Sequence, residues 1–211
     1  EAYQALPLKH RALVQNLEVL EIAQTDLLEA KIETIEEVTL DDQELIFSLN
    51  NAYKALTVNQ QKYVKNYETL RKATKQLQAM LDKIEADRVQ QLIDEGIRTL
   101  GEITLEDEEV IKHLREIFNA LTFAQQNLVD TTDLKSAEET IKALRQVRID
   151  RLVQLIGMIG EVTLEDEPVI TEAMDIYNWM YLDEREKIDY SMLISANSAL
   201  ERLQKDAAAA V

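Results

Sequence analysis

The chain has 211 residues, an apolar fraction of 46% and a formal net charge of −17, from 23 Lys and Arg against 40 Asp and Glu. That apolar content belongs to a folded protein, while the acid excess repels phosphate backbones and anionic headgroups and argues against nucleic-acid or membrane-surface binding. Cysteine is absent, which excludes disulfides, thiolate metal sites and a cysteine nucleophile, and four Gly and two Pro leave few turns, which points to long helices.

In chain order, the first feature is a match rather than a motif. Residues 1–20, EAYQALPLKHRALVQNLEVL, align without a gap with NAYKALTVNQQKYVKNYETL at 51–70. Ala2, Tyr3, Ala5, Leu6, Val14, Asn16, Glu18, Leu20 and, just beyond, Ala23 find identical residues there. The opening EAYQALP therefore reads as the middle of a pattern, as expected for a segment of a longer chain.

A second pattern follows and occurs three times: EEVTLDDQELI from Glu36, GEITLEDEEVI from Gly101 and GEVTLEDEPVI from Gly160, spaced by 65 and 59 residues. Leu56, Leu121 and Met180 stand sixteen residues after the motif leucines, and Val64, Val129 and Ile188 eight further on. Leu70, Leu134 and Leu193 come next, each followed three later by Ala73, Ala137 and Ala196. Self-similarity that recurs at about the same spacing marks a repeat architecture. The borders read as a partial repeat at 1–36, whose helix is shared with the next unit, then repeats at 37–100, 101–159 and 160–211.

Each copy predicts three helical pieces. After the acids, Val110, Ile111, Leu114, Ile117, Phe118 and Leu121 form one apolar stripe on an amphipathic helix, and the other copies repeat it. A short helix is expected near 58–65, 123–129 and 183–189. Thr57-x-x-Gln60 and Thr122-x-x-Gln125 have capping-box form; in the third copy Tyr181 replaces the threonine, and Asp183 is the expected substitute. The third piece is long, from about Thr69 to Leu100, with only Gly96 to interrupt it. Some 32 residues at about 1.5 Å each span about 48 Å. Asp133 to Ile159 is similar. Helices of that length are expected to close one repeat and open the next, which gives an all-α rod of tandem three-helix bundles sharing continuous helices, on the plan of spectrin-like arrays. The links differ: 11 residues from Leu27 to Val38, 26 from Leu77 to Ile103, 21 from Ile141 to Val162. The last two differ by five residues, a rotation of about 140° between successive joints.

The four acids Glu106, Asp107, Glu108 and Glu109 do not have the form of a metal site. Calcium loops alternate their ligands and turn on a glycine, and adjacent helical side chains diverge by about 100°. They read as a helix start. Gly101 and Gly160 stand where a long helix ends and a left-handed residue is favoured. Acids after the turn favour the positive end of the next helix. Pro168 fits only a first turn, which makes Asp166, and by equivalence Asp107 and Asp42, the expected N-cap. His10 and His113 stand alone, without metalloprotease or nucleophile spacing, and read as surface residues. No glycine-rich phosphate loop occurs, and no motif supports an enzyme, cofactor or metal site. No apolar run approaches the roughly 20 residues of a membrane span.

Trp179, the only tryptophan, occupies the place of Ala55 and Ala120, and Tyr181 lies beside it. One reading packs both against a neighbouring helix, as boundary aromatics do. The other makes them a partner contact.

The string Ile159–Ile170, with Ala52–Leu56, Leu121–Val129 and Asn66–Ala73, resembles a helical repeat common in large secreted and wall-attached proteins of Gram-positive bacteria. The resemblance covers nearly the whole chain and brings no catalytic residues. It implies an extracellular, cell-surface, non-enzymatic spacer or stalk presenting other modules. The alternative is a helical, adhesin-like binding module for a host protein, cell-wall or glycan ligand, whose mark would be a repeated exposed apolar patch. The ending AAAAV is assigned no role.

Overall fold

The computed structural model describes residues 5, 7–11 and 17–209. The leading matches at Ala2, Tyr3, Leu6, Val14 and Asn16 lie outside the described residues, as do Ala210 and Val211 at the end of AAAAV. Among the described residues the fold is all-helical, with no strand. The helices are α1 (Leu8–Arg11), α2 (Leu17–Glu33), α3 (Gln43–Ala55), α4 (Val58–Gln61), α5 (Tyr67–Leu100), α6 (Glu108–Asn119), α7 (Phe123–Gln126), α8 (Thr132–Met158), α9 (Glu167–Trp179), α10 (Leu182–Arg185) and α11 (Ser191–Ala209).

Each acidic motif folds the same way. A single 3₁₀ turn, Leu40–Asp42, Leu105–Asp107 or Leu164–Asp166, precedes α3, α6 or α9. The aspartates stand at the N-cap position, as expected, but their side chains make no bond into the α-helix. They fold back instead. The carboxylates of Asp42, Asp107 and Asp166 accept from the N–H of Thr39, Thr104 and Thr163 at 2.8 Å and from the threonine hydroxyl at 2.9 Å. Threonine and aspartate three apart thus close the turn between them, and Pro168 lies in the first turn of α9.

The helix ends correct one expectation. Gly101 follows α5 with φ +67, the left-handed C′ residue expected there. Gly160 does not adopt positive φ. The chain leaves α8 through Ile159 in extended conformation, φ −75 and ψ 118, and that side chain is buried. An extended exit that buries an isoleucine makes a left-handed residue unnecessary.

The short helices are a single turn, shorter than the sequence suggests. Thr57 and Thr122 cap them as expected: the Gln60 and Gln125 side chains accept from the threonine N–H at 2.8 and 2.9 Å, and their N–H groups donate to the hydroxyls at 3.3 and 3.4 Å.

The chain divides into two compact units, residues 1–89 with 121–129 and residues 90–120 with 130–211. The first contains a core of Leu28, Ile32, Val38, Ile46, Leu49, Val64, Leu70, Ala73 and Leu77, drawn from α2, α3, α5 and the segments between them. The second contains a core of Leu152, Leu155, Ile159, Ile170, Ala173, Met180, Leu193, Ala196 and Leu200, drawn chiefly from α8, α9 and α11.

The repeat alignment survives as a burial pattern. Ile46, Ile111 and Ile170 are buried, as are Leu49, Leu114 and Ala173; Leu70, Leu134 and Leu193; Ala73, Ala137 and Ala196; and Leu77, Ile141 and Leu200. Burying one of these leucines or isoleucines contributes about 1.5–3 kcal/mol, and an alanine less, against about 0–1 kcal/mol for an exposed ion pair. These positions therefore hold the fold, and the numerous surface ion pairs do not. The leading helix departs from the alignment. Ala23 and Leu27 match Ala73 and Leu77 in sequence but are exposed, while Thr25, Leu28 and Ile32 are buried. The 3, 4 spacing of those three is that of Ala86, Val89 and Ile93, also buried. The face that α2 buries is thus the one in front of a threonine–aspartate turn, not the one behind a short helix.

Candidate functional site

The four carboxylates of the second motif do not converge, and Glu106 is exposed. Asp107 closes its turn with Thr104, Glu108 faces Arg145 across to α8 at 3.5 Å, and Glu109 pairs with Lys112 at 3.3 Å. Among the described residues there is no group of three or more His, Cys, Asp or Glu that could hold a metal ion. His113 is exposed, 3.8 Å from Glu116 on its own helix.

Trp179 and Tyr181 are neighbours in sequence with different surroundings. Trp179 ends α9 and is 81% exposed, while Met180 beside it is buried in the second core. The packing reading of the indole is therefore overturned: where the helix gives way to extended backbone, alternate residues face opposite ways, and Met180 takes the inner place. The Trp179 carbonyl accepts from Arg148 Nη1 at 3.5 Å. Tyr181 is 42% exposed, and the Arg145 guanidinium lies 4.8 Å from its ring centroid, a cation–π arrangement.

The cap of α10 is not made by Asp183. The Tyr181 N–H donates to the Glu184 carboxylate at 2.8 Å, so the third residue of the helix serves, as Gln60 and Gln125 do in the other copies. Geometry decides this: a side chain at the third helical position reaches back to the cap N–H. Asp183 instead meets Arg145 Nη2 at 3.1 Å and Lys187 at 3.7 Å.

Glu184 centres a buried ionic cluster that reading the sequence did not find. It is 1% exposed. Arg148 Nη2 donates to its Oε2, and Arg145 Nε lies 3.3 Å from its Oε1. Arg145 also faces Glu108, so it stands between the α6 and α10 carboxylates. Burial pushes the Glu184 carboxyl upward, but the Arg148 hydrogen bond, the Tyr181 N–H and the charges of Arg148 and Arg145 outweigh it and hold the pKa below the ordinary carboxylate value. The signal in the sequence was a Glu where the other copies have Gln, with two arginines one turn apart at 145 and 148.

The fold also gathers cations that are scattered in sequence. Lys112 and Arg115 of α6 and Lys142 and Arg145 of α8 line a cleft of about 250 Å³ together with Glu108, Glu138, Ile111 and Ile141. Arg115 is held by Glu138 through two bonds of 2.6 and 2.7 Å. With two carboxylates in the same wall, this is a mixed surface.

A repeated exposed apolar position does emerge. The residue after each cap, Val58, Phe123 or Leu182, is 72%, 80% and 73% exposed. The capping geometry turns that first helical residue outward in every copy.

Repeated helical elements with shared core positions, a buried ionic cluster and no metal-ligand group among the described residues define an all-α repetitive protein. No protein-family model, curated protein or solved structure matches the chain. No described helix is long and apolar enough to cross a membrane.

Proposed function

We propose that this chain is a structural spacer segment of a bacterial cell-surface or secreted protein, built of tandem three-helix units and extended as a rod. The observation that carries the reading is the continuity of two long helices. The 34 residues of α5 and the 27 of α8 run unbroken through 84–90 and 145–150, where this reading has one bundle pass into the next. A joint inside a helix bends only by breaking backbone hydrogen bonds, so shared helices suit a stalk that holds other modules at a distance. The resemblance to wall-attached repeats supplies the compartment, and a non-enzymatic role accords with it.

Small-angle scattering tests the shape. A compact globule of this length has a radius of gyration of about 17 Å; a rod requires a clearly larger value, and one near the globular figure ends the spacer reading.

The second reading, a binding module, draws on the apolar series Val58, Phe123 and Leu182 and on the exposed indole of Trp179. Large exposed aromatics are enriched at interaction hot spots. A Trp179→Ala variant that retains every interaction of the parent protein with host proteins, wall fragments and glycans would remove the case for Trp179.

A further inference from the structure

The apolar core positions of the three copies are nearly interchangeable, but the polar pairs beside them are not. At the third residue of each short helix, a side chain reaches the long helix that precedes it. Gln60 donates to Gln24 Oε1 at 3.0 Å, Gln125 donates to Asp82 Oδ1 at 3.0 Å, and Glu184 accepts from Arg148. One position in the repeat thus carries amide–amide, amide–carboxylate and carboxylate–guanidinium chemistry in turn. A second position behaves likewise. Asn50 donates to Thr74 Oγ1 at 2.8 Å between α3 and α5, and Arg115 pairs with Glu138 between α6 and α8. In the third copy the same place holds Met174, packed on the core, and Asn197, which turns to Glu201 on its own helix.

We infer that these pairs are addresses: taken together they fix which helices dock on one another and so prevent repeats with a shared apolar pattern from exchanging segments. Shared apolar positions reward any pairing of helices from different copies. The third copy's ion pair rewards only its own partner, while the first two copies, whose Gln60 and Gln125 are alike, are told apart at the second position, where Arg115 set against Thr74 would lose its counter-charge. Glu184 docked against Asp82 would set two carboxylates together without a cation, and Gln125 docked against Arg148 would leave the guanidinium without its counter-charge. A buried ion pair is weak evidence for added stability, since a neutral replacement of both partners is often tolerated, and its better-attested use is to fix register and partner. Tandem repeats are also where misassembly and segment exchange are characteristic failures. The inference rests on the equivalence of the repeats and not on the spacer reading, since a binding module of the same design needs the same addresses.

The test uses the full chain. Arg148→Gln and Glu184→Gln are made singly and together, which gives the third copy the Gln24–Gln60 chemistry of the first. Each single change is expected to weaken the fold in urea. The double variant is expected to recover most of the loss, with a coupling of about tenfold in the unfolding equilibrium constant. The double variant with Arg115→Asn and Glu138→Thr added, refolded from denaturant, carries the first copy's pairs at the short helix of the third copy and between α6 and α8 of the second. It is expected to yield several-fold more exchanged dimer than the natural sequence, read by light scattering on a sizing column. Clean monomeric refolding of that fourfold variant overturns the inference, and so does a double variant whose loss equals the sum of the singles. If the fourfold variant does not fold, the reversed pair Arg148→Glu with Glu184→Arg decides. Monomeric refolding of the reversed pair, with exchanged dimer or loss of fold in either single reversal, supports the inference, and single reversals that refold as clean monomers overturn it.

Discussion

The carboxylate of Glu184 accepts from Arg148 of α8 and from the N–H of Tyr181 through the same oxygen, Oε2, so one buried side chain both caps α10 and ties it to the long helix. A glutamine can make the cap bond, as Gln60 and Gln125 do, but it cannot match the pairing with Arg148, since an amide oxygen carries no charge to balance the guanidinium. Removing the carboxylate leaves Arg148 and Arg145 beside an uncharged hole. Glu184→Ala is expected to cost about 3 kcal/mol, the low end for breaking a buried pair, because both arginines keep some access to water. Urea unfolding followed by circular dichroism gives the value, and a loss no larger than a typical surface substitution would show that the cluster is not holding α10.

The same carboxylate sets a pH dependence. Its folded pKa is depressed below the ordinary glutamate value of 4.5, because the Arg148 hydrogen bond, the Tyr181 N–H and the two arginine charges outweigh the cost of burial. A depressed carboxylate contributes stability that is fully present above its unfolded pKa and lost as pH falls through the folded one. Stability is therefore expected to decline below about pH 4.5, and less steeply in Glu184→Gln than in the natural sequence. Parallel stability curves for the two proteins in that range would contradict the assignment.

Caps give a second stability test. Thr57→Ala and Thr122→Ala each remove an acceptor for the third-residue N–H of a short helix, an expected loss of about 1 kcal/mol apiece. Asp166→Ala removes both side-chain bonds of the third threonine turn while keeping its backbone bond and is expected to cost a similar amount, about 1 kcal/mol, by leaving the Thr163 N–H and hydroxyl to water. Thermal unfolding ranks the three.

Glycine substitutions separate propensity from packing. Gly157 lies within α8, and a β-carbon added there would meet nothing within 4 Å, so Gly157→Ala is expected to stabilise by about 0.5 kcal/mol. At Gly96 the same carbon would meet Leu114 Cδ1 at 2.8 Å. Leu114 is buried, and Gly96→Ala is expected to lose by crowding what it gains in helix propensity, leaving a net destabilisation of about 1 kcal/mol. Gly101→Ala, at φ +67, is expected to cost about 1 kcal/mol. Chemical unfolding midpoints check all three, and an equal response at Gly157 and Gly96 would show that Leu114 yields freely.

Trp179→Ala is expected to change stability by no more than about 0.5 kcal/mol, as for surface substitutions generally, because the residue is exposed and the truncation opens no cavity. The same change at Met180, one residue on and buried, is expected to cost about 2–3 kcal/mol. Differential scanning calorimetry distinguishes the two.

Elements with strong local causes were legible in the sequence. The long helices were placed to within two residues because nothing in them breaks a helix, and the equivalence of Leu70, Leu134 and Leu193 fixed which face is buried. Thr57 and Thr122 showed their caps because a capping box is a contact between residues three apart. What went astray depended on neighbours distant in sequence. Asp183 is as good a cap as Glu184 by composition, and only the two arginines 36 and 39 residues earlier make Glu184 the buried member. Leu27 looks like a core residue by alignment, but the helix it belongs to turns Leu28 and Ile32 inward instead.

Periodicity and composition alone determined that this chain is helical, that it repeats, and which apolar positions recur, because those properties follow from residues a few places apart on one helix. Only the tertiary structure decided where Glu184 lies, that Trp179 faces solvent, and that Val58, Phe123 and Leu182 form an exposed series. The reason is that burial and charge pairing belong to two helices at once, and the spacing of residues along either one does not specify what the other brings to the contact.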